Sequence, residues 1–262
     1  MTASLRVFFV GGAISFRALF GWLTPMIYIP ALILTPIFQI LFFAYIGRAA
    51  GGRSDSFYVI GNAMQYAAVP CLFAITNTIA EERFWQTLGP ILISPARRLP
   101  LFLGRALPVI ANGFFSCAVS LFLGGLLLGV RFSPGAWASF VPVLLAATFS
   151  CTGLGFITAG LGLRLRETAV LSNVVIGLLL VFCGADVPLS DLPHAMAEVA
   201  RVLPLTHAIE AGRDVAAGAS IGSVGGLLGR EVLIGLAYAT AGFGLIRFFE
   251  QQSRRLATLE RV

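Results

Sequence analysis

The sequence predicts an all-α polytopic membrane protein, and three observations carry that prediction. Of 262 residues, 58% are hydrophobic and only 11% are charged, more apolar sequence than a soluble core needs. The apolar residues fall in charge-poor runs of about 20 residues, the length at which a helix crosses a hydrocarbon layer. The charged residues gather in the short stretches between those runs.

Taken in order, residues 4–20 mix Arg6 and Arg17 with Val7, Phe8, Phe9, Ile14, Phe16, Leu19 and Phe20. That pattern suits a helix lying in the membrane interface, placed at 1–24. Arg17 interrupts the apolar run, and no small-residue cleavage site follows it, so the segment does not read as a cleavable signal peptide. Spans are predicted at 25–46, 57–80, 101–130, 137–163, 168–185 and 232–249, six transmembrane helices within a single domain of 1–262. Pro70 predicts a kink in the second span, and Pro108 a tilt or kink in the third. Residues 48–55, rich in Gly and Ser, form the first turn.

Segment 81–98 is amphipathic and bears charge between two long apolar runs. Glu82 and Arg83 open it, and Phe84, Leu88, Ile91 and Leu92 recur at helical spacing. It reads either as a contact surface for a soluble partner or as a helix resting in the lipid interface. Segment 186–230 is too polar to cross as one helix. There Asp191 is the expected helix cap, with Pro193 in the first turn. Leu192, Met196, Val199 and Val202 form an apolar stripe. Pro204 ends that helix, and Thr206 is the expected cap of a second. Two such short helices predict an outer hairpin, either dipping into the outer leaflet as a re-entrant element or resting on it.

All eighteen basic residues are Arg. A Walker A loop needs a Lys on the nucleotide phosphates, so any ATP that drives this chain is bound by another polypeptide. With both termini inside, twelve arginines fall on the cytoplasmic side and six outside, the bias expected of that topology. The arginines lie scattered at span ends, which points away from nucleic acid. Cys71, Cys117, Cys151 and Cys183 lie in apolar runs without metal-ligand spacing and read as small core residues. No metal site is expected.

Three features show that the chain resembles the ABC-2 family of membrane permeases. The first is a run of Glu82, Arg83, Thr87, Leu88, Leu92, Ser94 and Pro95. The second is Gly184, Pro188 and Leu192-Pro193 after the fifth span. The third is Pro204-Leu205-Thr206-His207-Ala208 followed by Glu210 and Arg213. The resemblance implies a dimer of permease subunits in the plasma (inner) membrane above two ATP-binding-cassette ATPase subunits, which hold ATP and Mg. It makes 81–98 a cytoplasmic coupling helix, with Glu82, Arg83, Phe84, Thr87, Leu88, Ser94 and Pro95 in contact with the ATPase. It places the hairpin residues Leu192, Pro193, Met196, Val199, Pro204 and His207 beside the exit route. Gln86 and Gly89 depart from the family pattern, and Gly89-Pro90 implies a shorter coupling helix of about residues 80–88. The importer signature is not matched, which favours export.

A transport path needs groups that meet a substrate within the bilayer. Gln39, Asn62, Gln65, Asn112 and Asn173 are the candidates, with Phe38, Phe42, Tyr45 and Tyr66 nearby. The other role for such amides is to bond neighbouring helices together. No Asp, Glu or His lies near the middle of a predicted span, which weakens a proton-coupled mechanism. His194 and His207 both fall in the outer segment, and no HExxH or GxSxG pattern supports an intramembrane enzyme. His207 is expected to fix the turn into the second outer helix. The sequence thus reads as an ATP-driven exporter permease for an amphiphilic substrate (a drug-like natural product, lipid or glycolipid). A secondary transporter or channel without an ATPase is the alternative.

Overall fold

The computed structural model describes residues 9–12, 25–84, 98–164 and 168–256. Among them all regular structure is helical. The helices are α1 (Pro25–Ala49), α2 (Asp55–Gln65), α3 (Ala68–Phe84), α4 (Arg98–Leu128), α5 (Pro134–Gly162), α6 (Thr168–Phe182), α7 (His194–Val202), α8 (Thr206–Ala216) and α9 (Gly225–Leu256). Four described stretches are long and apolar enough to cross a membrane: Asp55–Asn77, Ala106–Leu128, Pro134–Gly162 and Gly225–Phe249. Ile33–Ala49 and Thr168–Phe182 are shorter apolar helices. Residues 9–12 are helical, and the rest of the expected interfacial helix at 1–24 lies outside the described residues.

The break in the second predicted span falls at Tyr66-Ala67, four residues before the proline. Pro70 has no N–H for the Tyr66 carbonyl, and its ring crowds that carbonyl. The chain turns there instead. The Tyr66 N–H reaches the Asn62 carbonyl at 3.1 Å, and the Ala67 N–H reaches Met64 at 2.9 Å. By contrast α4 runs as helix through Pro108, and α5 through Pro142. The start of α5 is well specified. Pro134 occupies its first turn, and the Ser133 hydroxyl accepts the Ala136 N–H at 3.1 Å, closing an otherwise open donor.

Helix α5 is the centre of the bundle and packs against α9, α3, α4, α8 and α6. Its longest contact, with α9, is made through glycine. A Cβ on Gly153 would stand 2.3 Å from the Gly235 carbonyl oxygen, and one on Gly242 would stand 2.5 Å from the Phe156 carbonyl carbon. No larger residue fits there, and the two backbones touch as small residues allow in membrane helix pairs. The contact between α3 and α5 adds a hydrogen bond between the Thr76 and Thr158 hydroxyls, 2.7 Å. Cys71, Cys117, Cys151 and Cys183 are all free and buried in this core.

The buried face of α9 is narrow. Glu231, Gly235, Gly242 and Ile246 are buried, while Val232, Leu233, Leu236 and Phe248 point outward. This helix starts at Gly225, seven residues before the predicted sixth span, so the polar segment ends sooner than expected. One end of the bundle carries the α1–α2 turn, residues 183–193, α7 and α8. Arg53 lies 3.6 Å from Asp191 there, and Arg48 pairs with Asp55 across the turn. At the opposite end Arg164 bonds Gln252 and lies over the Phe249 ring.

Two predicted caps are corrected. Leu192 precedes a proline and is therefore held extended, with φ −83° and ψ 146°. The helix consequently starts only at His194, with Pro193 as its cap residue. Asp191 sits instead in a 3-10 turn, Leu189–Asp191, and accepts the Ser190 hydroxyl at 2.9 Å. Thr206 is already inside α8, and the cap position belongs to Leu205 at φ 78°.

Candidate functional site

Three of the five candidate amides meet in one network. The Gln39 Nε2 donates to Asn62 Oδ1 at 2.9 Å and to Gln65 Oε1 at 3.1 Å. The Asn62 Nδ2 donates in turn to Asp186 Oδ1 at 2.7 Å and to the Tyr58 carbonyl at 3.1 Å. The network joins α1, α2 and the segment after α6. Asn62 and Gln65 are buried, and Gln39 is half-buried. The close approach of α2 to that segment rests on Gly61, where a Cβ would stand 2.2 Å from the Ala185 carbonyl oxygen. Asn112 is buried on α4, and Asn173 is exposed on α6. Phe38, Phe42 and Tyr45 form an exposed aromatic stripe on α1 beside Gln39, whereas Tyr66 is buried.

Arg213 of α8 closes the network from the hairpin side. Its guanidinium stacks 3.5 Å from the Phe57 ring centroid, and Nη2 donates to the Ala185 carbonyl at 2.9 Å. Burial pushes its pKa down to about 10, which still leaves the group charged at neutral pH. Burial also pushes the Asp186 carboxyl up to about 6, against the opposing pull of the Asn62 bond and of Arg213. Among the described residues, Asp186 Oδ2 and Arg213 Nε have no hydrogen-bond partner.

The hairpin is wired to itself and to α9. The Thr206 hydroxyl donates to the Ala200 carbonyl at 2.6 Å, and His207 Nε2 lies 3.1 Å from the Arg201 carbonyl. A carbonyl only accepts, so Nε2 carries the ring proton, and the bond ties the start of α8 to the end of α7. Burial lowers its pKa from the ordinary histidine value. Leu205 is fully buried, and its N–H donates to Glu231 Oε1 at 2.7 Å. Pro204 precedes this corner. On α7 the stripe of Met196, Val199 and Val202 is exposed, with Leu192 half-buried. That face therefore does not pack on the described helices.

A family model of ABC-2 type transporters matches residues 13–216, most of the chain, from before α1 to the end of α8. The chain belongs to the ABC-2 type transporter family. A search of curated proteins finds no match. As an ABC-2 membrane protein, the chain is a multi-pass transport component, and membership implies partnership with an ATPase component. Glu82, Arg83 and Phe84 occupy the last described turn of α3, continuous with the helix below Pro70. Thr87, Leu88, Ser94 and Pro95 lie outside the described residues.

Sequence reasoning missed Glu231 and Asp186. Glu231 falls between the polar segment ending at Arg230 and the predicted span starting at Val232, and so belongs to neither. The signal was a lone carboxylate at the head of an apolar run, a residue type that is rare within spans and calls for a partner.

Proposed function

We propose that the chain is the permease subunit of an ATP-binding-cassette exporter that moves an amphiphilic substrate across the plasma (inner) membrane. It would cross six times with both termini cytoplasmic, pair with a second permease subunit (identical or homologous), and receive its drive from a separate ATPase subunit holding ATP and Mg. One observation carries the reading: an ABC-2 chain of 262 residues contains no Lys, so it lacks the residue that a Walker A loop uses to bind phosphates. Catalysis of ATP hydrolysis then belongs to the partner. Segment 81–98, starting from Glu82 and Arg83, is the proposed contact with it. The polar cluster of Gln39, Asn62, Gln65, Asp186 and Arg213, beside the aromatic stripe of α1, suits a substrate with a polar head and an apolar body. A drug-like natural product, a lipid or a glycolipid has that chemistry.

Glu231 bears on the alternative, a secondary transporter, because it is a buried carboxylate within an apolar helix. Both its oxygens are engaged by N–H groups of its own chain, which suits a fixed structural anchor better than a proton carrier.

Affinity purification of the tagged chain from its native membrane tests the proposal. An ATPase subunit should come down with it, and vesicles holding both should take up a fluorescent amphiphile only with ATP. Uptake by the chain alone, driven by a proton gradient, would establish the secondary transporter instead.

A further inference from the structure

We propose that Glu231 is a positioning residue that fixes the outer hairpin to α9, so that the α7–α8 corner moves with α9. The corner needs an external hold because Leu205 adopts φ 78°, a backbone region costly for any residue with a Cβ. Leu205 is nevertheless fully buried, so glycine would relieve the strain only by emptying a core site. Glu231 lies across the first turn of α8. Its Oε1 takes the Leu205 N–H at 2.7 Å, and its Oε2 takes the Ala208 N–H at 3.3 Å. Backbone N–H groups only donate, so both oxygens act as acceptors. A carboxyl from another helix does here what an N-cap side chain does locally, by accepting the open N–H groups of the first turn. Ser150 of α5 bonds the same Oε1.

A second contact lies two turns along the same face of α9. The Tyr238 hydroxyl donates to the Val202 carbonyl at 3.2 Å. Helix α9 therefore holds the corner on both sides: Tyr238 at the last carbonyls of α7, and Glu231 at the first N–H groups of α8. Two further last-turn carbonyls, Ala200 and Arg201, are taken by Thr206 and His207 within the hairpin. The hairpin is thus a stiff unit, and its described polar bonds at the corner that leave the hairpin all run to α9.

Cysteine reactivity tests this in the intact chain. The four native cysteines are buried, so an impermeant maleimide reports chiefly on an added thiol. Ala208→Cys places that thiol under the corner, at a fully buried position. Glu231→Gln turns an acceptor pair into an amide that presents N–H to N–H. It should raise labelling at 208 by about tenfold, as loss of a cap at a strained turn would. Ser150→Ala, which leaves both backbone bonds in place, should leave labelling within about twofold. Unchanged labelling in Glu231→Gln overturns the proposal, as does an equal rise in Ser150→Ala. If Glu231→Gln fails to insert, Tyr238→Phe decides. It leaves no buried charge and should raise labelling about threefold through the lost hydrogen bond, and native labelling in it overturns the two-sided hold. The labelling result stands whatever drives transport. Loss of ATP-dependent export per inserted Glu231→Gln chain additionally rests on the exporter reading. Labelling that rises while export stays normal would confine Glu231 to hairpin structure and overturn its role in movement.

Discussion

At the scale of single residues, Asp186 is a group whose charge state the fold alters. Burial raises its carboxyl from an ordinary 3.8 to about 6, so folding favours the protonated form. The contribution of this group to stability is complete below about pH 4 and is lost as pH rises through about 6. Asp186→Asn keeps an oxygen for the Asn62 amide and removes the charge. In detergent, the variant should melt closer to wild type at pH 5 and higher than wild type at pH 8; a difference in Tm independent of pH would contradict this. Arg213 offers a second test. Its planar guanidinium stacks on Phe57 and reaches the Ala185 carbonyl, a geometry that an ammonium cannot reproduce. Arg213→Lys should cost about 1–2 kcal/mol, measured by thermal unfolding, and a neutral result would mean that the stack adds nothing. The amides were legible in the sequence as polar outliers in apolar runs. Their grouping was not, because spacing along the chain does not show that Gln39 faces Asn62 and Gln65 across two helices.

Among the elements, the seam between α5 and α9 depends on missing side chains. Gly153→Ala drives a Cβ to 2.3 Å from the Gly235 carbonyl oxygen, and backbone must move to admit it. The expected loss is about 1–3 kcal/mol. Gly244→Ala, on the same α9 but with nothing within 4 Å of the added Cβ, should be neutral or stabilise by up to about 1 kcal/mol through helix propensity. Equal effects from the two would show that the seam is not close-packed. The apolar stripe of α7 gives a further test. Met196, Val199 and Val202 are exposed on the chain itself, so burial of that face requires lipid or a partner subunit. Val199→Asp should then cost roughly 2–3 kcal/mol, and rapid labelling of a cysteine at 199 would show a solvated helix instead. The helical class was readable from the length of the apolar runs. The helix ends were less so. Pro70 marks a break that occurs four residues upstream because the missing bond belongs to the Tyr66 carbonyl. The residue before Pro193 is held extended, so Asp191 cannot cap. Leu205 in the left-handed region has no sequence signal, since the carboxyl that takes its N–H lies on a distant helix.

For the molecule as a whole, the arrangement of ends is consistent with alternation of the helices through a layer. The α1–α2 turn and the hairpin share one end, while Arg164 and Gln252 meet at the other. Topology is directly measurable: Ser220→Cys, an exposed position, should react with an impermeant reagent applied outside, and a cysteine at 256 should not. The reverse pattern would invert the orientation and remove 81–98 from the reach of an ATPase. In the assembled transporter, Glu82→Ala with Leu88→Ala should leave ATP hydrolysis running without matching export, as expected when a contact hot spot is lost. Unaltered coupling would sink that assignment. The fifteen described residues of α6 set one last quantity. At helical rise they make a rod of roughly 22 Å, against a hydrocarbon layer of about 30 Å. On the six-span reading, the shortfall is met by drawing the polar segment around Asp186 below headgroup level on the hairpin side, or by pinching the bilayer there. A pinched membrane favours short acyl chains. Export reconstituted in lipids of graded tail length should accordingly peak in thinner bilayers, because every added methylene stretches the layer around a helix too short to follow.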